Sequence, residues 1–299
     1  MRITTRMAVG TMVNNLDRSY ERIVRFQNEL SSGTRLNSLS DDPAGIERSL
    51  AMRSELRNAE QFKKNISDGI GWLELSEATL SEMEALFVQV RGLAIQGSTS
   101  TFNAEQRNAI AGQVDQLLEH VQGLSEARYR GRYIFAGTQT ADVPYVPDRA
   151  NGVIVDVKPR GRTDGSIERE ISDGIVMQVN VPGNELFEGD GNAFTTLIEL
   201  RDALRDNAVE RVGDSLTGLA EMRERISSVR GLIGARVNRM EITQNVLDRM
   251  SVEMTTILSE DEDVDLASTI VNLQQEQDVF QAALASGSVV VPQSLMDFI

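Results

Sequence analysis

The sequence predicts a mainly α fold: a long antiparallel helical rod, in part a coiled coil, built from both chain ends with a small inserted β-rich domain. Three observations carry this prediction. Four of the six prolines lie in one central window, which leaves proline-free runs from 44 to 143 and from 183 to 291. Outside that window, apolar residues recur every three or four positions, as on the packed face of a helix. Aromatic residues make up only 5% of a chain that is 40% hydrophobic, which suits helix–helix packing.

The first predicted helix belongs to an N-terminal assembly segment, residues 1–44. Its apolar seam has a period of about 3.5 residues, the spacing of a helix that packs along another helix. The seam residues are Val9, Val13, Leu16, Tyr20, Ile23 and Leu30. Residues 31–34, with Gly33, predict the end of this helix. Asp42 followed by Pro43 predicts an N-cap and the first position of a second helix.

Two longer stretches predict the body of the rod, with residues 45–137 as its first half and 193–264 as the return half. Three further apolar seams run through them, around Ile66 to Ala94, Ile110 to Leu124, and Ile226 to Leu258. The break at 97–101 is rich in Ser and Thr and predicts a turn between two antiparallel helices.

Residues 138–192 differ in kind and predict the inserted β-rich domain. This window holds four prolines and seven glycines, with β-branched runs at 153–157 and 175–181. Such runs are typical of short strands, joined here by turns at 163–165 and 172–174. Both ends of the window continue into long helices, so the halves of the rod are distant in sequence.

The last segment, residues 265–299, predicts a C-terminal assembly helix with a seam of its own. The seam residues are Leu266, Ile270, Leu273, Phe280 and Leu284. A lone amphipathic helix is marginal without tertiary packing, so both terminal helices need a partner. The two seams together are the predicted subunit interface.

Composition argues against most kinds of catalytic and metal site. The absence of cysteine removes disulfides, thiolate chemistry and cysteine-ligated metals, and His120 is the only histidine. No nucleophile-bearing turn accompanies His120, so we predict no catalytic residue, cofactor or metal. The acidic run 260–263 with Asp265 lacks the ligand spacing of a calcium loop and predicts the N-terminal cap of the last helix.

The charge and hydropathy patterns limit the partners. A net charge of −15 argues against nucleic acid, although two short basic patches lie at 128–132 and 158–162. No apolar run approaches the ~20 residues of a membrane span, so we expect no membrane insertion. The N-terminus lacks a continuous apolar signal core, so we expect no cleaved signal peptide. Both a cytosolic location and export by a route without a cleaved signal remain open.

Several segments closely resemble the bacterial flagellin superfamily. The stretch from Leu30 to Gly45, LSSGTRLNSLSDDPAG, is similar to its N-terminal signature. The resemblance extends to segments of both helical halves, namely 65–69, 90–94, 133–138 and 231–239. Within the superfamily, the chain is most similar to proteins of the hook–filament junction in its opening residues 1–5, in 258–267 and in the ending 294–299. Ala44-Gly45 and residues 291–293 are closer to filament flagellin, which is the alternative.

The resemblance implies a structural subunit of the flagellum, exported unfolded through the type III channel and assembled outside the cell as an adaptor between hook and filament. The implied partners are copies of itself, a hook-side junction protein, filament flagellin and an export chaperone at the C-terminal helix. We expect 1–44 and 265–299 to pair, and the isolated monomer to have protease-sensitive ends. A cytosolic coiled-coil scaffold and an enzyme using His120 are the less favoured alternatives.

Overall fold

The structure, a computed structural model, describes residues 5–37, 42–189 and 191–290, except the side chains at 5, 6, 8, 9 and 287–290. Long helices dominate it. The helices are α1 Thr5–Ser32, α2 Pro43–Ser98, α3 Ala104–Ser125, α4 Asn184–Phe187, α5 Ala193–Arg205, α6 Val209–Glu262 and α7 Leu266–Val290. The strands are β1 Arg128–Tyr129, β2 Arg132–Tyr133, β3 Tyr145–Ala150, β4 Val153–Pro159, β5 Glu168–Ser172 and β6 Ile175–Gln178.

Helix ends lie where local chemistry predicts them. Gly33, at φ 75°, follows the last residue of α1, and its N–H donates to the carbonyl of Glu29. The Asp42 carboxylate accepts a hydrogen bond of 3.0 Å from the N–H of Gly45, which caps α2 just before Pro43. The predicted end of the first helix and the predicted start of the second are confirmed.

The turn between α2 and α3 is also where the sequence predicts it. Helix α2 ends at Ser98, and α3 begins after Asn103. The side chain of Asn103 accepts from the N–H of Gln106, whose own side chain accepts from the N–H of Asn103, forming a capping box. This reciprocal pair satisfies two N–H groups that the first helical turn leaves open.

The chain divides into two compact units. The terminal unit comprises residues 1–58 and 249–299, and the central unit comprises residues 59–248. Helices α2 and α6 contribute residues to both. The antiparallel pairing of α1 with α7 in the terminal unit confirms the predicted fold class, a helical structure built from both chain ends.

The central unit has one continuous hydrophobic core. Its members come from helices α2 to α6, from the strands and from the segments between them, and most are fully buried, for example Leu80, Phe87, Leu118 and Ile226. Trp72 is 5% exposed within this core. Four rings, those of Phe135, Tyr145, Phe187 and Phe194, form an aromatic cluster with centroid distances of 5.0 to 5.9 Å.

The strands form three separate two-stranded antiparallel sheets. Strands β3 and β4 form a hairpin across Asn151 and Gly152, at φ 51° and 81°, which suits the primed turns that hairpins favour. Strands β5 and β6 form another hairpin, which turns at Asp173–Gly174 within the predicted 172–174 segment. Residues 163–165 lie in an irregular stretch that connects the hairpins, and the strand predicted for 175–181 ends at Gln178.

The hairpins share the core of the central unit. Ile154, Val157, Ile171 and Met177 belong to the same hydrophobic cluster as the helical residues. Arg201 of α5 adds a polar tie, because its guanidinium donates to the carbonyl of Ile154 on β4. The division of the chain at 44, 137, 192 and 264 into five segments stays a prediction.

Candidate assembly interface

The predicted seam residues of α1 range from buried to exposed. Ile23 is 8% exposed, and Leu16 and Leu30 are half-buried. Val13 and Tyr20 are 48% and 59% exposed. The side chain of Val9 lies outside the described residues. The α1 seam is therefore only partly covered within one chain.

The α7 seam is open along most of its described length. Leu266, Ile270 and Leu284 are exposed, whereas Leu273 and Phe280 are half-buried. The ring of Phe280 lies 6.3 Å from that of Tyr20, centroid to centroid, so the two predicted seams do meet. This contact fills only a small part of either seam.

Polar groups hold α1 and α7 together. Arg22 donates to both carboxylate oxygens of Glu276, at 2.7 and 3.2 Å, and the Ser19 hydroxyl donates to the same carboxylate at 2.8 Å. The hydrogen bonds from Arg22 are the main reason that the pKa of Glu276 lies below its usual value. The hydrogen bond from Ser19 lowers this pKa by a smaller amount. This geometry fixes the two helices in register through charge-assisted hydrogen bonds.

A second polar junction joins the start of α2 to the end of α6. Glu262 accepts hydrogen bonds from Arg53, at 2.6 and 3.0 Å, and from the Ser49 hydroxyl. The bond from Arg53 is the main reason that the pKa of Glu262 lies below its usual value. The backbone N–H of Arg35 donates to the carbonyl of Glu262 at 2.7 Å, which ties the loop after α1 to the same corner.

The acidic run has two roles rather than the one predicted. Asp265 does cap α7, because its carboxylate accepts from the N–H groups of Ala267 and Ser268 at 3.0 and 3.2 Å. Asp261 and Glu262 instead belong to the last turn of α6, where they pair with Arg48 and Arg53. The prediction that the whole run caps the last helix is wrong for Glu260, Asp261 and Glu262, because α6 continues to Glu262.

The described part of the terminal unit has no hydrophobic core. Ile23 is the only apolar side chain buried in its described part, whereas five polar side chains are buried there: Ser19, Glu29, Ser49, Glu262 and Thr269. Large apolar side chains of this unit are exposed instead, and they are Met7, Val13, Tyr20, Leu50, Met250, Val252, Ile257, Leu266, Ile270, Val271, Val279 and Leu284. Covering them would stabilise the assembly by about 25 cal/mol for each Å² of apolar surface removed from water. These faces can therefore bind other helices.

A cleft of about 460 Å³ lies between the end of α1 and the start of α7. Buried Glu29 and Thr269 line it together with Arg25, whose guanidinium lies 3.5 Å from the Glu29 carboxylate. Its polar lining extends the pattern of the unit, in which polar groups occupy the places of core residues.

Other candidate sites from the sequence take ordinary surface positions. The imidazole of His120 is exposed, and its Nε2 lies 3.0 Å from the carboxylate of Glu82. Within 5–37, 42–189 and 191–290, no group of three or more metal-ligating side chains is close enough to hold an ion. Over the same residues, no helix is long and apolar enough to cross a membrane.

Sequence reasoning predicted the seams but did not predict the polar pairs beside them. Ser19 and Arg22 directly precede the seam residues Tyr20 and Ile23. Glu276 lies one helical turn before the seam residue Phe280. Charged residues beside a heptad seam often pair with the opposite helix, so the place of Arg22 and Glu276 next to the seams was the sequence signal that could have predicted their pairing. The pairing of Arg53 with Glu262 carries no comparable signal, because Arg53 precedes the predicted seam that begins at Ile66 and Glu262 follows the one that ends at Leu258.

The sequence of this chain is similar to those of known proteins over most of its length. Residues 3–140 match the family model of the bacterial flagellin N-terminal helical region. The flagellin of Bacillus subtilis (strain 168) is 28% identical over 294 residues, covering 95% of this chain and 94% of that protein.

Solved structures match the fold. The crystal structure of FlgL from Xanthomonas campestris has a TM-score of 0.62 at 16% identity and covers 70% of this chain and 99% of that one. The flagellar junction protein FlgL from Legionella pneumophila has a TM-score of 0.59 at 13% identity, covering 71% and 100%. At such identities the match concerns the fold alone. The chain therefore contains a region similar to the flagellin N-terminal helical region at residues 3–140 and has the fold seen in FlgL, which together support a flagellar structural protein of the flagellin type.

Proposed function

We propose that the protein is an adaptor at the hook–filament junction, assembled outside the cell after type III export without a cleaved signal peptide. Its partners are copies of itself, a hook-side junction protein and filament flagellin, with an export chaperone at the C-terminal helix. The subunit interface consists of the α1 and α7 seams, from Val9 to Leu30 and from Leu266 to Leu284. The role is structural, with no reaction catalysed.

One observation supports assembly above all others: the terminal unit has open apolar faces and almost no core. Ile270 and Val271 are 46% and 60% exposed on α7, and Val13 and Tyr20 are exposed on α1. A helix pair of this kind gains most of its stability when further helices cover it. Contacts between copies that repeat without closing into a ring produce helical arrays, as a tubular filament requires.

The junction role is favoured by the fold match and by the sequence of both ends. FlgL structures are covered over 99% and 100% of their length by this chain. The segment 258–267 and the ending 294–299 resemble the junction branch of the superfamily.

Filament flagellin is the second candidate, and a specific observation favours it. The Bacillus subtilis flagellin aligns with 95% of this chain, which covers both terminal helices and the central unit. The two candidates differ in copy number, because a filament subunit is the main component of a filament and an adaptor is a trace component.

A deletion strain tests the proposal. Loss of an adaptor should leave hooks assembled, remove filaments and release flagellin into the medium, all measured by electron microscopy and immunoblotting. Re-expression of the wild-type chain should restore filaments. Intact filaments and normal swimming in the deletion strain would contradict any essential flagellar role.

Quantification separates the two candidates. In purified, sheared wild-type filaments, the ratio of this protein to total flagellin should be far below one if it is an adaptor. A ratio at which this protein dominates the filament mass would replace the adaptor with filament flagellin.

A further inference from the structure

The central unit carries a groove rich in arginine. Arg130 and Arg132 of the β1–β2 hairpin and Arg169 of β5 line it together with Asp68, Trp72 and Tyr129. Its volume is about 360 Å³. We call it the arginine groove. It stands out because the whole chain has 45 acidic and 30 basic side chains.

The wall of the groove is a built structure. Trp72 and Tyr129 meet edge to face at 5.8 Å, and the guanidinium of Arg130 lies 5.1 Å above the Tyr129 ring. Gly71 makes this possible, because a Cβ at that position would lie 2.4 Å from the Tyr129 hydroxyl. The Trp72 indole N–H is buried and has no acceptor among the described residues. The aromatic pair therefore holds the hairpin arginines in place against α2.

The positive charge of the groove is only partly neutralised. Arg130 pairs with Asp68 at 3.1 Å. Arg169 donates only to the neighbouring carbonyl of Glu168, and Arg132 has no ion pair within the described part of the chain. Two guanidinium groups are thus available for carboxylate oxygens, which arginine binds in a bidentate geometry.

We propose that the arginine groove docks an acidic segment of a neighbouring copy of this chain. The inference rests on the proposed function, which brings copies side by side in an assembly. A chain of net charge −15 repels its own copies, so a local positive groove is the place where an acidic surface of a second copy is attracted.

The same charges weigh against other anions. A long polyanion such as nucleic acid would meet three arginines and then a surface with an excess of carboxylates. A free phosphate would leave most of a 360 Å³ groove unfilled. A short run of Asp or Glu side chains matches both the size of the groove and its two free guanidinium groups.

Binding can be measured directly, because Trp72 is the only tryptophan in the chain and lines the groove. Titration of the full-length protein with hexaglutamate should produce a saturable change in Trp72 fluorescence that weakens with added salt. The Arg132→Ser/Arg169→Ser chain should bind about tenfold more weakly or worse. The matched control, Arg160→Ser/Arg162→Ser, changes two exposed arginines outside the groove and should bind as the wild type does.

Three outcomes of the titration overturn the proposal. An equal fluorescence response to inorganic phosphate would make the groove a small-anion site, and no response to hexaglutamate would remove it altogether. An equal loss in the control chain would show a general effect of net charge and would also overturn it.

Cross-linking in purified flagella identifies the occupant. In an Arg132→Lys chain, carbodiimide should join the new amine to a nearby carboxylate as an amide, giving a product of twice the 33.0 kDa chain mass. Mass spectrometry should map both halves to this sequence. Cross-linking to a different protein, or no dimer-sized product, overturns docking of a second copy.

Incorporation into flagella separates this inference from the proposed function. Absence of the wild-type chain from flagella would refute the proposed function. Presence of the wild-type chain with equal amounts of an Arg132→Glu/Arg169→Glu chain would refute the groove. We expect that chain to be depleted, and an Arg160→Glu/Arg162→Glu chain to be incorporated normally.

Discussion

Arg22 on α1 donates two hydrogen bonds to the carboxylate of Glu276 on α7, although 254 residues separate them in the chain. The Ser19 hydroxyl donates a hydrogen bond to the same carboxylate. Glu276 is therefore the acceptor that joins the two chain ends. In a unit where Ile23 is the only buried apolar side chain of the described part, such polar contacts carry a large share of the specific pairing.

Substitution Glu276→Gln should loosen the pairing of α1 with α7. It removes the negative charge of the carboxylate that accepts the hydrogen bonds from Arg22, and it weakens the hydrogen bond from Ser19. We expect faster trypsin cleavage within 1–58 and 249–299, while the fragment containing most of 59–248 persists. The time course is followed by mass spectrometry. Asp278→Asn, on an exposed position of the same helix, is the control and should leave the cleavage rate unchanged.

The terminal unit should lose stability in acid. Hydrogen bonds from Arg53 and Arg22 lower the pKa of Glu262 and Glu276 from 4.5 in the folded state. The unfolded chain then binds more protons, so their stabilisation is complete above pH 4.5 and disappears as the pH falls through the lower folded values.

Circular dichroism melts from pH 7 down to about 3 measure this effect. A Glu262→Gln/Glu276→Gln chain should show a flatter dependence on pH below 4.5, because these two groups no longer titrate. An identical pH profile in the two chains would show that other carboxylates dominate acid unfolding.

Arg201 should be essential to the central unit. Its side chain is 2% exposed and pairs with Asp115 at 3.1 Å and Asp202 at 2.8 Å, besides the carbonyl of Ile154. Arg201→Met leaves two carboxylates and a carbonyl without their donor, and breaking a buried pair in this way costs about 3 to 5 kcal/mol. Urea denaturation measures the loss. The exposed neighbour Arg205 provides the control, since Arg205→Met should change the free energy of unfolding by less than about 0.5 kcal/mol.

Two glycines of α2 should respond in opposite directions to the same substitution. Gly71→Ala places a methyl group against the Tyr129 hydroxyl and should destabilise the protein by about 1 to 3 kcal/mol, with a shift in Trp72 fluorescence. Gly92 has open space around it, so Gly92→Ala should stabilise the helix by up to about 1 kcal/mol. Thermal unfolding of both chains gives the comparison; destabilisation by Gly92→Ala would contradict the exposed position of that residue.

Leu273→Asp should block assembly without unfolding the central unit. Leu273 is half-buried on the α7 seam, where a carboxylate would oppose packing against other helices. Expressed in the deletion strain, this chain should be exported but fail to restore filaments and swimming. Gln274→Asp introduces the same charge at an exposed neighbour and should restore both. Normal swimming with Leu273→Asp would show that the seam assignment is wrong.

Much of the helical architecture follows from local signals. Gly33 ends α1, Asp42 and Pro43 begin α2, and the Ser- and Thr-rich break ends α2 at Ser98, because caps and turns depend on a few neighbouring residues. Hairpin geometry was less accessible: Asn151–Gly152, the turn of the β3–β4 hairpin, was not among the turns predicted. The strand predicted through Val181 ends at Gln178, since β-branched residues also suit the buried, irregular segment that follows.

The uneven prolines, the heptad spacing and the scarcity of aromatic residues determined from sequence alone that this chain forms long helices around a β-rich window. Tertiary structure decided which apolar residues are covered: Ile23 is buried, whereas Tyr20, three residues earlier on the same seam, is 59% exposed. It also brought Arg22 to Glu276 and set Arg132 and Arg169 around one groove. Periodicity specifies a helical face through neighbours a few residues apart, but the partner of that face depends on contacts between segments that lie far apart in the chain.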